Sequence, residues 1–208
     1  MYNLPEINHL ETSRSQEEIF KLLQGKSFEA EFVERGDFDW QSAVKVAKHD
    51  IFISGTTLTH YVGAKDLFMG VDSSISVKFL VLNLNNSEDL NAFRRMRYQD
   101  NEKHTNERYF NQGKVFKDLY NTLRGCENIF FAVADRVIPI TFFAVDVEKL
   151  TENTMIRVQH YLYEKEADQA TVSYIVRPGD TLFERIREQV AIIWRYAIKD
   201  KEKLYFHD

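Results

Sequence analysis

Four consecutive residues, Ser54, Gly55, Thr56 and Thr57, follow the apolar run Ile51-Phe52-Ile53. Hydroxyls and a glycine at the end of a strand are what a compact anion needs. They offer O–H donors, and backbone N–H groups can come close where there is no side chain. Open α/β sheets seat ligands at the carboxyl ends of their strands, so this turn is a candidate phosphate-binding site. The same residues would equally serve as a plain helix cap through Thr56 or Thr57. A second candidate stands in "MIRVQHYLYE", where Ile156, Val158, His160 and Leu162 alternate with Arg157, Gln159, Tyr161 and Tyr163. On a strand His160 then points inward with the apolar set, either as a catalytic imidazole or as a histidine satisfied within the core. Arg157 and Gln159, on the opposite face, would hold a ligand or meet solvent. A third candidate is Arg94, Arg95 and Arg97 beside Tyr98, with Lys103 and Arg108 following. On a helix Arg94 and Arg97 share a face. Their planar forks match phosphate geometry; a solvated helix face is the alternative.

Composition bounds what these residues can do. The chain has 208 residues, a formal net charge of −5 and 44% hydrophobic content. A global basic field for polyanions is absent, so a phosphate surface must be local. Charge is uneven: residues 1–50 hold ten acids and six Lys/Arg, whereas residues 88–125 hold eight Lys/Arg and six acids. One cysteine, Cys126, leaves no internal disulfide and reads as a small buried hydrophobe. The six histidines, at 9, 49, 60, 104, 160 and 207, do not stand at metal-ligand spacing, and there is no Walker A, GxGxxG, HExxH or GxSxG motif. No metal and no cofactor is expected. No run of eighteen apolar residues exists and "MYNLPEINHL" is not a secretory leader, so the expectation is a cytoplasmic protein without membrane contact.

The elements that must position these residues follow from periodicity. Ser15 with Glu18 predicts a helix over 16–24. "FEAEFVERGDFDW" predicts a short strand and a turn, with Asp37 or Asp39 capping a helix that carries Trp40, Val44 and Ala47 on one face. "DIFISG" predicts a strand and 58–69 a single helix. "ISVKFLVLNLNN" is apolar on both faces, as a central parallel strand is. Ser87 would cap a helix through Arg97, and a second helix would present Tyr109, Phe116, Leu119, Tyr120 and Leu123. In "NIFFAVADRVIPITFFAVD", Ile129–Val133 and Val137–Val145 read as a hairpin turning at Ala134-Asp135-Arg136, with Pro139 confined to an edge or bulge. This ribbon reads as scaffold. "TVSYIV" is a last strand, Pro178-Gly179-Asp180 a turn, and Thr181 with Glu184 a capping box opening a helix striped by Phe183, Ile186, Val190, Ile193, Trp194 and Ala197. The fold class is α/β, a mixed sheet sandwiched by helices. An N-terminal appendage over 1–49 packs on a core domain over 50–208.

"IFISGTTLTHYV", "VKFLVLNLNN", "IRVQHYLYEKEAD" and "TLFERIREQVAIIWRYA" together resemble the phospholipase D-like superfamily, and most of all its short, single-domain bacterial members. The resemblance covers about Asp50 to Ala197. Active members carry His-x-Lys-x-x-x-x-Asp; here His160 matches the histidine, while Leu162 and Ala167 stand at the lysine and aspartate positions, with Lys165 and Asp168 out of phase. The resemblance thus implies a catalytically degenerate domain that binds a phosphate-bearing ligand, a nucleotide or nucleic acid, as a regulatory, sensing or accessory module. It also implies a homodimer, because single-domain members pair two copies to complete one site. Three other readings stay open at this point. One is a divergent phosphodiesterase or nuclease using His160. Another is a TIR-like or Rossmann-like nucleotide-binding domain, since "DIFISGT" resembles a TIR opening strand. The last is a protein–protein interaction scaffold.

Overall fold

In the computed structural model the described residues are 31–33, 37–55, 58–82, 116–134, 140–161 and 171–197. Strands β1 (Glu31–Phe32), β2 (Asp50–Gly55), β3 (Ser76–Leu82), β4 (Ile129–Ala134), β5 (Ile140–Val145), β6 (Met155–Tyr161) and β7 (Thr171–Val176) form one sheet in the order β1-β7-β6-β5-β2-β3-β4. Strands β2, β3 and β4 are mutually parallel, and β5, β6, β7 and β1 continue antiparallel from β2. The mixed α/β sheet expected from the sequence is therefore present.

Both faces are covered, which explains the unbroken apolar runs of the central strands. One face packs Ile53, Phe79, Phe131 and Phe143 against α1 (Trp40–Val46), α2 (Thr59–Val62), α3 (Lys65–Met69) and the helical residues 116–123, here α4. The other face packs Phe52, Leu80, Phe142, Val158 and Val176 beneath α5 (Phe183–Tyr196). Three alanines, Ala132, Ala134 and Ala144, lie on this second face. Small side chains on a sheet let a helix carrying Phe183 and Trp194 approach closely, as facing large and small residues must.

Several expectations hold. Asp39 caps α1, accepting from Ser42 N at 3.0 Å and from Ser42 Oγ at 2.6 Å. Phe116, Leu119 and Leu123 are buried together, and α5 carries its stripe against the sheet. Gly179 turns the chain with φ +103°, a left-handed conformation that favours glycine. The helix predicted over 16–24, the helix through Arg97 and Tyr109 lie outside the described residues.

Three expectations are corrected. Ile129–Val133 and Val137–Val145 do not form a hairpin: β4 pairs only with β3, whereas β5 pairs with β2 and β6. Two parallel strands stand between them. The apolar run of β5 is that of an interior strand, paired on both sides, while β4 stands at the sheet edge beside β3; both runs are apolar because helices cover both faces, so nearness in sequence was the weaker signal. The ribbon is scaffold, but as two separated strands. The helix predicted over 58–69 is two short helices parted at Gly63-Ala64. The capping box at Thr181 is not formed: the N-cap of α5 is Leu182, without a side-chain cap bond, and Phe183 N instead donates to Asp180 O at 3.0 Å.

A reciprocal clamp closes the far end of the β2·β5 pair. Asp146, directly after β5, has φ 54° and is fully buried. Its Oδ1 accepts from Lys48 N at 2.9 Å and His49 N at 2.8 Å, and its Oδ2 accepts from Thr151 Oγ1 at 2.7 Å. In return Asp50 accepts from Val147 N at 3.2 Å and Glu148 N at 2.8 Å. Burial alone pushes both carboxyls up. For Asp146 the donors of Thr151, Lys48, His49 and Asp50 outweigh it and hold the group below its ordinary value. For Asp50 burial wins and the group is raised.

Candidate functional site

The carboxyl ends of β2, β3, β4 and β6 and the amino ends of β5 and β7 share one end of the sheet, by the sense of their pairing. Every sequence-predicted site residue that is described, apart from Arg157 at mid-strand, lies at or next to this end. Chain direction reverses here. From β2 the chain steps outward through β3 and β4, then returns to the opposite side of β2 as β5. Open α/β sheets seat their ligands outside the strand ends at such a topological switch point.

Ser54 marks where β2 and β5 part. Backbone pairing of these strands ends at Ile53↔Phe143, while β2 stays paired with β3 through Gly55↔Val81. The next strand N–H, of Phe142, donates instead to Ser54 Oγ at 2.8 Å. A hydroxyl thus bridges the parting strands. Gly55 follows, and a Cβ built there would meet Leu58 Cδ2 at 3.0 Å and Thr141 Cγ2 at 3.8 Å. Leu58 is buried with φ 52°. A bulky residue in the left-handed region costs on the order of 1–3 kcal/mol and persists only where packing imposes it, typically at ligand sites and turns. Gly55 and Leu58 bracket Thr56 and Thr57, which lie outside the described residues. The helix that follows, α2, is a single turn, too short to present a helix-terminus dipole to an anion.

His160 is half-buried on the α5 face. Its Nε2 stands 3.4 Å from the Tyr174 hydroxyl, and the two rings stack at 5.7 Å with 27° between planes. Burial lowers the imidazole pKa and raises that of the Tyr174 phenol. At neutral pH both groups are uncharged, and they share a neutral hydrogen bond. Ser54 lies on this same face and end, with β5 between it and His160. Gly55, Arg157 and Gln159 belong to the opposite face. Arg157 is buried, with its guanidinium 4.9 Å from the Phe38 ring and Nη2 3.3 Å from Ser173 Oγ. Gln159 pairs across to Thr141 and Ser173. The fold therefore brings Ser54 and His160 to one face and separates them from Arg157 and Gln159. Arg94 and Arg97 lie outside the described residues.

A pocket of about 280 Å³ opens at the other end of the sheet, beneath α5, floored by Phe52, Val190 and Trp194. Its cations are engaged with its own carboxylates, Lys78 with Glu148 and Arg187 with Glu184. Lys78 also stands 5.7 Å from the Trp194 ring, and Arg187 Nε donates to Val147 O at 2.6 Å. Sequence reading missed this site because its residues come from four separate segments, around 50, 78, 147 and 184–194. Among the described residues no group of three His, Cys, Asp or Glu is placed to hold a metal, and no helix is long and apolar enough to cross a membrane.

No family model matches the chain and no curated protein does. Among solved structures it is similar to TrmBL2, an archaeal chromatin protein whose structure shows a novel mode of DNA binding. That likeness has 10% identity and a TM-score of 0.47, covering 91% of this chain and 62% of that one. The chain thus spans about three-fifths of the length of that protein. It is also similar to Nuc from Salmonella typhimurium, a phospholipase D family member, with 14% identity and a TM-score of 0.40, covering 81% of this chain and 94% of that one.

Proposed function

We propose that this chain is a degenerate phospholipase D-like module that binds a phosphate-bearing ligand, a nucleotide or nucleic acid, at the carboxyl end of β2 and does not hydrolyse it. The observation that carries the binding site is the parting of two strands at the switch point. There β2 and β5 part, Ser54 bridges them, and Gly55 and strained Leu58 stand on either side of Thr56 and Thr57 in the chain. Hydroxyls and N–H groups of a Ser-Gly-Thr-Thr run are donors that a phosphate needs, and the sequence offers Arg94 and Arg97 as the cations to pair with it.

Binding rather than hydrolysis follows from the setting of His160. A histidine attacking phosphorus needs a fixed cation to stabilise the charge that develops on the phosphoryl oxygens. Leu162 occupies the motif's lysine position, and the described partner of His160 is a neutral phenol. His160→Ala is expected to lower stability by about 1 kcal/mol, the scale of one lost hydrogen-bonded contact, and to leave phosphodiester hydrolysis at background. Thermal melting and a chromogenic phosphodiester assay measure both. Wild-type turnover that disappears in a folded variant would establish the enzyme instead.

Fluorescence anisotropy across a salt series tests the binding reading. With mononucleotides and short single and double strands as ligands, log affinity is expected to fall with log salt by about 0.9 per phosphate contact. Arg94→Ala with Arg97→Ala should flatten that slope by about two units, one for each lost contact. Absence of binding at low salt would remove the reading. A homodimer, implied by the same resemblance, belongs to this proposal, and light scattering against concentration measures it.

A further inference from the structure

The sheet face that carries His160 continues into a row of rings that α5 leaves open. Phe32 on β1 is 69% exposed and meets Tyr174 edge-on at 6.2 Å; Tyr174 in turn stacks with His160. The register Phe32↔Tyr174 and His160↔Val172 places these side chains on one face of three adjacent strands, with Val172 43% exposed among them. Resting on the phosphate-binding reading above, we propose that this row is a base-stacking platform, and that the ligand is single-stranded nucleic acid whose bases lie on Phe32, Tyr174 and His160.

Three features carry the assignment. Neighbouring rings about 6 Å apart across a sheet give successive bases a run of π-faces, and stacking on such rings tolerates any sequence. The row also ends in polar groups. The Tyr174 hydroxyl, bonded to His160 Nε2 at 3.4 Å, can both donate and accept and so retains a second hydrogen bond for a base edge, which a purely apolar docking face for a protein partner would not need. Finally, His160 lies at the end of the sheet where β2 finishes in Ser54 and Gly55, so one strand of nucleic acid that meets the proposed phosphate site is also within reach of the row. Phe32 has a structural reason to be replaced by a polar residue, since it stands on a two-residue edge strand open to water. A large exposed ring there is spent on contact with something else.

The test compares two probes by fluorescence anisotropy at one low salt concentration. One is an oligodeoxythymidylate of about 12 nucleotides, within the usual site size. The other is the same backbone with abasic sites throughout. The wild-type protein is expected to bind the base-bearing probe about tenfold or more tightly than the abasic one. Phe32→Ala should lose most of that difference and leave abasic binding unchanged, while Phe32→Trp restores it; melting curves confirm that both variants fold. Equal wild-type affinity for the two probes overturns the platform and leaves the phosphate reading standing. Binding of neither probe overturns both. If Phe32→Ala turns a dimer into a monomer and does not change probe binding, the row belongs to a second copy of the chain and the platform is refuted.

Discussion

Cut after Arg177, the chain is expected to lose cooperative unfolding and to precipitate or bind hydrophobic dye as a molten state. The truncation removes α5, whose Phe183 and Val190 are almost wholly buried and whose Ile186, Ile193 and Trp194 pack partly on the sheet. Full burial of such side chains is worth about 1.5–3 kcal/mol each. The two buried ones alone match a large part of a domain's usual margin of about 5–15 kcal/mol. Removing them also opens Phe52, Leu80, Phe142 and Val158 to water, and a sheet with one bare apolar face has no stable partner but another molecule. Calorimetry and size-exclusion chromatography of residues 1–177 measure the outcome. A monomeric fragment with a sharp transition would contradict it.

Asp146→Ala is expected to cost about 3–5 kcal/mol, more than any other single carboxylate on the described surface or core. It removes a charged acceptor from the part-buried N–H groups of Lys48 and His49, the buried N–H of Asp50 and the Thr151 hydroxyl, and a hydrogen bond to a charged group is worth about 1.5–3 kcal/mol. It also places alanine at φ 54°, a region that aspartate and asparagine tolerate better. Asp146→Asn keeps the conformation and one oxygen, so roughly half the loss is expected. The pH dependence follows from the direction of the shift. The folded pKa of Asp146 lies below the ordinary 3.8, so its contribution is complete above that value and disappears as pH falls through the folded one. Asp50 is shifted the other way: its contribution is complete below 3.8 and is lost as pH rises through its folded pKa. Denaturant melts between neutral pH and strong acid should therefore show stability falling below about pH 3.8 in the parent. Asp146→Asn should show a shallower fall there, with the Asp50 trend at higher pH preserved in both. Equal acid slopes would remove Asp146 from the account.

Much of the sheet was legible because its signals are local. Alternation in "MIRVQHYLYE", apolar runs ending in Ser-Gly or Asn, and the stripe of α5 each depend on residues within a few turns of one another. What was not legible depends on distance. Asp146 was visible only as a charge ending an apolar run; its partners lie 97 and 98 residues earlier in the chain. Strand partnership of β4 and β5 is likewise a choice among apolar runs that look alike, made by helices on both faces. At the site, sequence alternation already put His160 and Arg157 on opposite faces. The bridging role of Ser54 needed the strand parting, which no local pattern records.

The strand order has a consequence for assembly. Residues 37–134 supply β2, β3, β4 and the helices of one face, while residues 140–197 supply β5, β6, β7 and the helix of the other. Between these two contiguous blocks the sheet is sewn along a single seam, β2 against β5. Strand pairs inside each block join residues at most 52 positions apart, whereas the seam pairs Ile51 with Val145, 94 apart, and so closes a longer loop than any pair within either block. The Asp146–Asp50 clamp then acts as a latch at one end of the seam, and the Ser54 hydroxyl as the last stitch at the other. The proposed site is the length of seam that backbone pairing never reaches, so the place where a ligand would sit is also where sewing stops.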